Sequence, residues 1–285
     1  MKQFAFSFKD VKPFVKLMML ICIFMVFTSI IGFIAIFVPM NPLLSQAIYQ
    51  IIMFGLTVLI WGFMFEGSAY KYLKFEKKNS LYYFIIAFLL LFVASPFIDG
   101  IGLWNNSWHF EGEEIFRNME SAAEKIMENF MSNTSVLGLL FNIIVVAALP
   151  AILEELFFRG AMQTTMINLV RNRFIGILIT SIIFSLIHFQ LFSCVPRVFL
   201  GLFLGYLYVF SKNILVPMLF HFLNNLTVVI SYYLLNTHII DKNFNEVGSI
   251  FNPFIFVLSI ILITYFFIRE IKKEKSQTKS NNYKV

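Results

Sequence analysis

The residues with the most chemistry to offer lie where charge is most costly. The stretch N-I-I-V-V-A-A-L-P-A-I-L-E-E-L-F-F-R-G places Glu154, Glu155 and Arg159 among residues suited to a lipid interior. A charged group at mid-bilayer costs ~2.5–3.5 kcal/mol even on lenient insertion scales, so each needs a partner or a task. Glu155 and Arg159 stand i,i+4 with the acid first, the favourable order for a helical ion pair. That leaves Glu154, whose side chain projects ~100° away from Glu155 on a helix. Pro150, one turn earlier, removes a backbone hydrogen bond and is expected to kink the helix, as happens where a cavity is lined. Two of the four histidines also sit in apolar runs: His188 in F-S-L-I-H, and His221 in H-F-L-N-N with Asn225 on the same helical face. His109 and His238 fall in polar connections, where surface placement accounts for them.

A carboxylate, two imidazoles and a primary amide form a set suited to amide hydrolysis. Glu154 would be the general base that activates water, and His188 would hold that water or shuttle its proton. His221 and Asn225, one turn apart, can aim two donors at the oxyanion of a tetrahedral intermediate. There is no H-E-x-x-H and no G-x-S-x-G, so the zincin and nucleophile-elbow routes lack their motifs.

These groups need elements that bring them to one depth. If the helix carrying Glu154 runs to about 168, L-V-R-N-R at 169–173 is the turn of an antiparallel hairpin. Glu154 then lies 17 residues before Arg171 and His188 lies 17 after it, so the two can face each other. His221 stands only about two turns from Lys212, and a recessed loop would be needed to bring it level. Gly201 and Gly205 make a G-x-x-x-G, read as close helix packing.

The whole composition demands a membrane. Of 285 residues 59% are hydrophobic, 18% aromatic and only 13% charged, with 37 Phe. A soluble domain of this length could not cover so much apolar side chain with so little polar surface. A soluble globular enzyme, a nucleic-acid-binding domain and a disordered chain are excluded. The fold class is all-α, a polytopic membrane protein with about eight helices: 14–38, 43–65, 81–103, 136–158, 174–192, 195–211, 214–236 and 249–268.

The net charge of +6 is a matter of distribution. With the N-terminus inside, 18 basic residues lie on the cytoplasmic side, among them Lys2, Lys9, Lys71, Lys74, Lys77, Lys78, Arg171, Arg173, Lys212 and the tail after Arg269. Only Arg117, Lys125, Arg197 and Lys242 fall outside. The asymmetry predicts an N-in, C-in topology in a bacterial plasma membrane, with the basic rim facing anionic lipid and no nucleic-acid partner. The outer connection 104–134 carries six glutamates at 111, 113, 114, 120, 124 and 128. Ile115, Met119, Ala122, Ile126 and Phe130 recur at helical spacing, so a surface-lying amphipathic helix with a solvated acidic face is expected. The tail after Lys272 reads as disordered. Cys22 and Cys194 stand alone and read as apolar residues. Three regions follow: 1–135 with three spans and the insertion, 136–236 with the chemistry, and 237–285 with the last span and basic tail.

Taken together, E-E-x-x-x-R at 154–159, F-x-x-x-H at 184–188 and H-x-x-x-N at 221–225 resemble the CPBP family. These are the CAAX proteases and bacteriocin-processing enzymes, also called the Abi or type II CAAX protease family. The resemblance covers about 137–234. It implies an intramembrane endopeptidase with a conical cavity among its core helices, acting on membrane-embedded peptide or protein substrates. Carried over, Glu154 and His188 activate the water, His221 and Asn225 form the oxyanion site, and Glu155 and Arg159 brace it. Eukaryotic relatives trim prenylated C-termini, whereas many bacterial relatives act on other peptides or have no known substrate. The family is commonly labelled metalloprotease, which leaves zinc held by Glu154, His188 and His221 as an alternative to a scheme with no cofactor. The metal-free scheme is preferred because it gives each of the four groups a role. Two other functions remain open on the residues alone: a non-enzymatic immunity or scaffold protein of the same fold, and a proton-coupled transporter, since intramembrane Glu and His also serve proton relays.

Overall fold

A computed structural model describes residues 11–38, 40–66, 80–240 and 252–282. Within these it is built of helices. They are α1 (Pro13–Phe37), α2 (Pro42–Phe65), α3 (Ser80–Asn106), α4 (Glu113–Met131), α5 (Val136–Val170), α6 (Arg173–Leu186), α7 (Cys194–Ser211), α8 (Leu215–Asn236) and α9 (Pro253–Asn282). Among the described residues, seven helices are long and apolar enough to cross a bilayer. The fifth expected span is shorter than its apolar run: α6 has 14 residues, ~21 Å of rise, and stops before His188. The basic residues expected at Lys2, Lys9, Lys71, Lys74, Lys77, Lys78, Lys242 and Lys284 lie outside the described residues.

The bundle presents its apolar side chains outward as well as inward. Phe33, Ile36 and Phe37 on α1, Phe92 on α3 and Phe254 and Ile261 on α9 are all exposed. In water this would be an aggregating surface; in a bilayer it is the lipid-facing one. The chain is a multi-pass membrane protein.

Of three apolar clusters that hold the helices among the described residues, the third joining Met131, Ala147 and Val229, two are larger. One joins Leu17 and Leu20 of α1, Phe54 and Trp61 of α2, Phe157, Phe158 and Met162 of α5, and Phe184 of α6. The other joins Tyr83, Ala87 and Leu90 of α3, Phe203, Leu204 and Leu207 of α7, Val216 and Phe220 of α8, and Ile263 and Phe267 of α9. The α6–α7 pair is closer than side chains would allow. A Cβ on Gly201 would lie 3.0 Å from the Ser181 Cα, and one on Gly205 would lie 2.6 Å from Ile177 Cγ2. The pairing Gly201 with Ser181 and Gly205 with Ile177 also shows that the two helices run antiparallel. Close approach exposes the Gly205 carbonyl, which accepts from buried Gln163 Nε2 of α5 at 3.1 Å.

One expectation is overturned at the C-terminus. The segment after Lys272 continues α9 as helix to Asn282, and Arg173 of α6 pairs with Glu274 on it. Lys, Glu and Gln are good helix formers, and a helix already nucleated by its apolar turns propagates through them at little cost. Nearby, buried Glu270 accepts hydrogen bonds from the Tyr82 and Tyr83 hydroxyls at 2.8 and 2.9 Å, tying α9 to α3.

Candidate functional site

Helix α5 is irregular where the chemistry is concentrated. Two π-helical segments, Ile143–Ala148 and Leu156–Gln163, flank the α-helical turn Leu149–Glu155. Pro150 explains the first. Its ring cannot donate a hydrogen bond and would press on the carbonyl four residues back, and the wider π turn relieves both. The second begins immediately after Glu155 and carries Arg159. π segments are rare and concentrate at functional sites.

The α5–α6 hairpin then turns as its sequence predicts. Arg171 adopts a left-handed conformation (φ 54°) and the Asn172 side chain caps α6 by accepting from the Ile175 amide. Gly176 lets α6 fold back tightly, since a Cβ there would lie 2.9 Å from the Ile167 Cα. The hairpin brings Glu154 and His188 to one cavity of about 370 Å³, which His221, Asn224 and Asn225 of α8 also line. The recessed α7–α8 connection that His221 requires is present: Asn213 and Ile214 are buried, and Ser211 Oγ donates to the Asn213 carbonyl at 3.1 Å. The cavity lies where the two larger apolar clusters meet, with Phe184 from one and Leu204 and Phe220 from the other in its wall.

Hydrogen bonding sets the proton positions on both imidazoles. His188 Nδ1 lies 2.8 Å from the Phe184 carbonyl, which can only accept, so Nδ1 carries the hydrogen. Nε2 of the neutral ring is then a lone pair. His221 Nδ1 lies 3.0 Å from Glu155 Oε1 and donates to it. The other carboxylate oxygen of Glu155 accepts from Arg159 Nε at 3.0 Å, and Glu155 and Arg159 are both fully buried. The expected Glu155–Arg159 pair is therefore present, but the carboxylate does not turn away from the site. It connects Arg159 on one side to His221 on the other, a link that spacing along one helix could not show. Glu154, 8% exposed, makes no such pairing and lines the cavity directly. Asn225 Oδ1 accepts from Asn224 Nδ2 at 3.4 Å, which leaves the Asn225 amide hydrogens to donate.

A segment between α6 and α7 closes one end of the cavity, and its backbone is satisfied by side chains, as a non-helical stretch at this depth requires. Phe189 turns it with a positive φ of 55°. Asn105 of α3 donates to the Leu191 carbonyl at 3.1 Å and accepts from the Val195 amide at 2.8 Å, and Ser185 Oγ donates to the Cys194 carbonyl at 2.7 Å. Helix α4 lies over this segment. It is the expected amphipathic helix, with Glu114, Glu124 and Glu128 exposed, but its charges are not all solvated. Glu120 Oε2 accepts from the Phe192 amide at 2.9 Å, and the Arg117 guanidinium stacks 3.9 Å from the centre of the Phe192 ring. Asn142 and Asn236 cap its far end by donating to the Phe130 and Met131 carbonyls, each at 2.9 Å. Met127 and Phe130 of α4 reach the cavity wall. At its start, hydrogen bonds from Arg117 and His109 hold the Glu113 carboxyl below its usual range.

Sequence reasoning counted Arg197 on the outer side, at the start of the 195–211 span, and gave it no role; it lies in the first turn of α7 and lines the cavity. Gln46, Gln50, Gln190 and Asn224 line it too and were also missed. The available signal was their polarity within or beside apolar runs, which His221 and Asn225 share. The zinc alternative can be set against the geometry. Glu154, His188 and His221 share the cavity, yet among the described residues no three His, Cys, Asp or Glu side chains converge closely enough to hold a metal ion. The residues as placed do not fit that ligand set, and no step is derived through a metal.

No curated protein and no solved structure matches the chain. Residues 136–227, which span α5 to the middle of α8 and contain Glu154, His188, His221 and Asn225, match a family model. Its description is type II CAAX prenyl endopeptidase, Rce1-like, and over these residues the chain is similar to that family.

Proposed function

We propose that the chain is an intramembrane endopeptidase that hydrolyses peptide bonds of membrane-associated substrates with a glutamate-activated water. The observation that carries this reading is the convergence of Glu154 of α5, His188 from the segment after α6, and His221 and Asn225 of α8 on one cavity. In this scheme a water held by His188 Nε2 loses its proton to the Glu154 carboxylate as its oxygen bonds to the scissile carbonyl carbon. The carbonyl oxygen becomes an oxyanion, which the Asn225 amide and His221 stabilise. Glu154 returns the proton to the departing amide nitrogen as the carbon–nitrogen bond breaks, which leaves an acid and an amine and restores the base.

The Glu155–His221 hydrogen bond places a condition on this scheme. With Nδ1 donating to Glu155, His221 can donate from Nε2 only as an imidazolium. Arg159 in turn fixes the carboxylate that accepts from His221. Glu155 and Arg159 are thus positioning residues that act through His221. The catalytic region is taken as 136–236, flanked by 1–135 and 237–285, in a bacterial plasma membrane with both termini cytoplasmic.

The test is a peptide-cleavage assay on purified full-length protein in detergent, with mass spectrometry of the products. Wild type is expected to cut and Glu154→Gln to be inert although folded. Equal cleavage by both proteins would overturn the assignment of the base.

A further inference from the structure

We propose that Arg197 is a carboxylate anchor of the cavity and selects peptides that carry a free carboxylate near the scissile bond, an inference that rests on the peptidase reading above. Arg197 lines the same cavity as Glu154 and His188. Its Nη2 donates to Gln190 Oε1 at 2.6 Å and to Ser193 Oγ at 3.3 Å, both neutral oxygens. Its Nη1 is buried and makes no hydrogen bond. The acids near it are Glu120 and Glu154. Glu120 spends Oε2 on the Phe192 amide, and neither acid forms an ion pair with Arg197.

The other buried arginine of the site shows the contrast. Both Nη atoms of Arg159 are likewise buried without a hydrogen bond, but its Nε holds a carboxylate at 3.0 Å, its guanidinium stacks 5.3 Å from the Phe184 ring centre, and the side chain is fully buried. Arg197 is oriented by two neutral side chains and opens onto the cavity. A guanidinium withdrawn from water with only neutral partners carries an uncompensated desolvation cost, which a carboxylate offsets when it binds. The planar fork of an arginine whose Nη2 is already fixed presents its remaining donors in the geometry a carboxylate takes. An acidic side chain and a free C-terminus supply the same group, so both are candidate sources.

The two sources can be separated by binding, independently of turnover. The probes are three fluorescent peptides of one apolar sequence: one with a free C-terminal carboxylate, one with a C-terminal amide, and one amidated with a glutamate in place of a glutamine near its end. Anisotropy is measured with the full chain carrying Glu154→Gln, so that nothing is consumed, with Arg197 intact, Arg197→Lys or Arg197→Gln. One or both carboxylate-bearing peptides should bind at least tenfold more tightly than the neutral one, the size of one charge-assisted contact. Arg197→Lys should keep part of that preference and Arg197→Gln should abolish it, while the neutral peptide binds alike to all three. Which acidic peptide gains identifies the source. The proposal is overturned if no peptide binds, if no carboxylate preference exists, or if it survives Arg197→Gln. It is also overturned if Arg197→Gln weakens all three peptides equally, as a mere counter-charge to Glu154 would. Carboxylate-selective binding without cleavage by the unsubstituted chain would sink the peptidase reading instead and leave the anchor standing.

Discussion

At the scale of single residues, Glu154 and Glu155 are neighbours in sequence with separate assignments. Glu154→Gln removes the group that would accept the proton while keeping its shape, so turnover should fall below detection in a protein of wild-type thermal stability. Glu155→Gln weakens contacts to both Arg159 and His221 and leaves a buried guanidinium without its carboxylate, which should cost several kcal/mol. Lower melting temperature and lower turnover should appear together for Glu155→Gln, and their separation would break the link to His221. Asn225→Ala should lower kcat by ~10²–10³ with little change in KM, the usual loss for one oxyanion donor. Equal kcat in mutant and wild type would remove Asn225 from the mechanism. The absence of a metal step is open to a direct check as well. Exhaustive dialysis against a strong chelator should leave activity intact, and loss restored by Zn²⁺ alone would reverse the scheme. The four groups lining the cavity were legible in the sequence because charge and amide in apolar helices are costly enough to need a reason. The Glu155–His221 bond was not, since residues 66 apart meet only when two helices pack.

At the scale of elements, helical periodicity and cap residues predicted most of what positions the site. The 169–173 turn, the amphipathic α4 and the close packing at Gly201 and Gly205 all correspond to features of the fold. What periodicity could not show is where an element docks. Helix α4 reads as amphipathic whether its polar face meets water or a neighbour, and only the fold shows Glu120 and Arg117 gripping Phe192. Phe192 is itself buried, so the segment between α6 and α7 depends on α4 for cover. Phe192→Ala removes the ring beneath Arg117 and a buried aromatic, with an expected loss of ~3–5 kcal/mol. Proteolysis or hydrogen exchange should increase first in 187–193, the segment that contains His188. Loosening elsewhere with this segment unchanged would contradict the role given to α4. At the α6–α7 contact, Gly205→Ala would push a methyl to 2.6 Å from Ile177 Cγ2 and 2.7 Å from Gln163 Oε1. Overpacking of this kind costs ~1–3 kcal/mol, measured as a lowered melting temperature in detergent, and a neutral result would mean the two helices can separate freely.

At the scale of the whole molecule, the short helix α6 decides the topology. Counting only helices long enough to span gives seven among the described residues, an odd number that would leave the two termini on opposite sides of the membrane. The packing suggests another count. Gly176 against Ile167 folds α6 back along α5, and Gly201 against Ser181 with Gly205 against Ile177 folds α7 back along α6. Each contact reverses the chain, and we propose that α6 is a pass although its 14 residues rise only ~21 Å. The shortfall is made up by the segment 187–193 and by α4 above it, which explains why an apolar run read from sequence as 174–192 is only partly helical. On that proposal an even number of passes would return the C-terminus to the side of the N-terminus, and the asymmetry of 18 basic residues to 4 would assign that side to the cytoplasm. Helix α4 and the end of the cavity it covers would then face outward. A reporter that is active only in the cytoplasm should therefore work when fused after Val285 or inserted at Lys212, and fail when inserted at Thr237. A reporter that needs export should show the reverse pattern. Activity on opposite sides for the N-terminal and Val285 fusions would mean that α6 does not cross, and the antiparallel placement of Glu154 and His188 would fall with it.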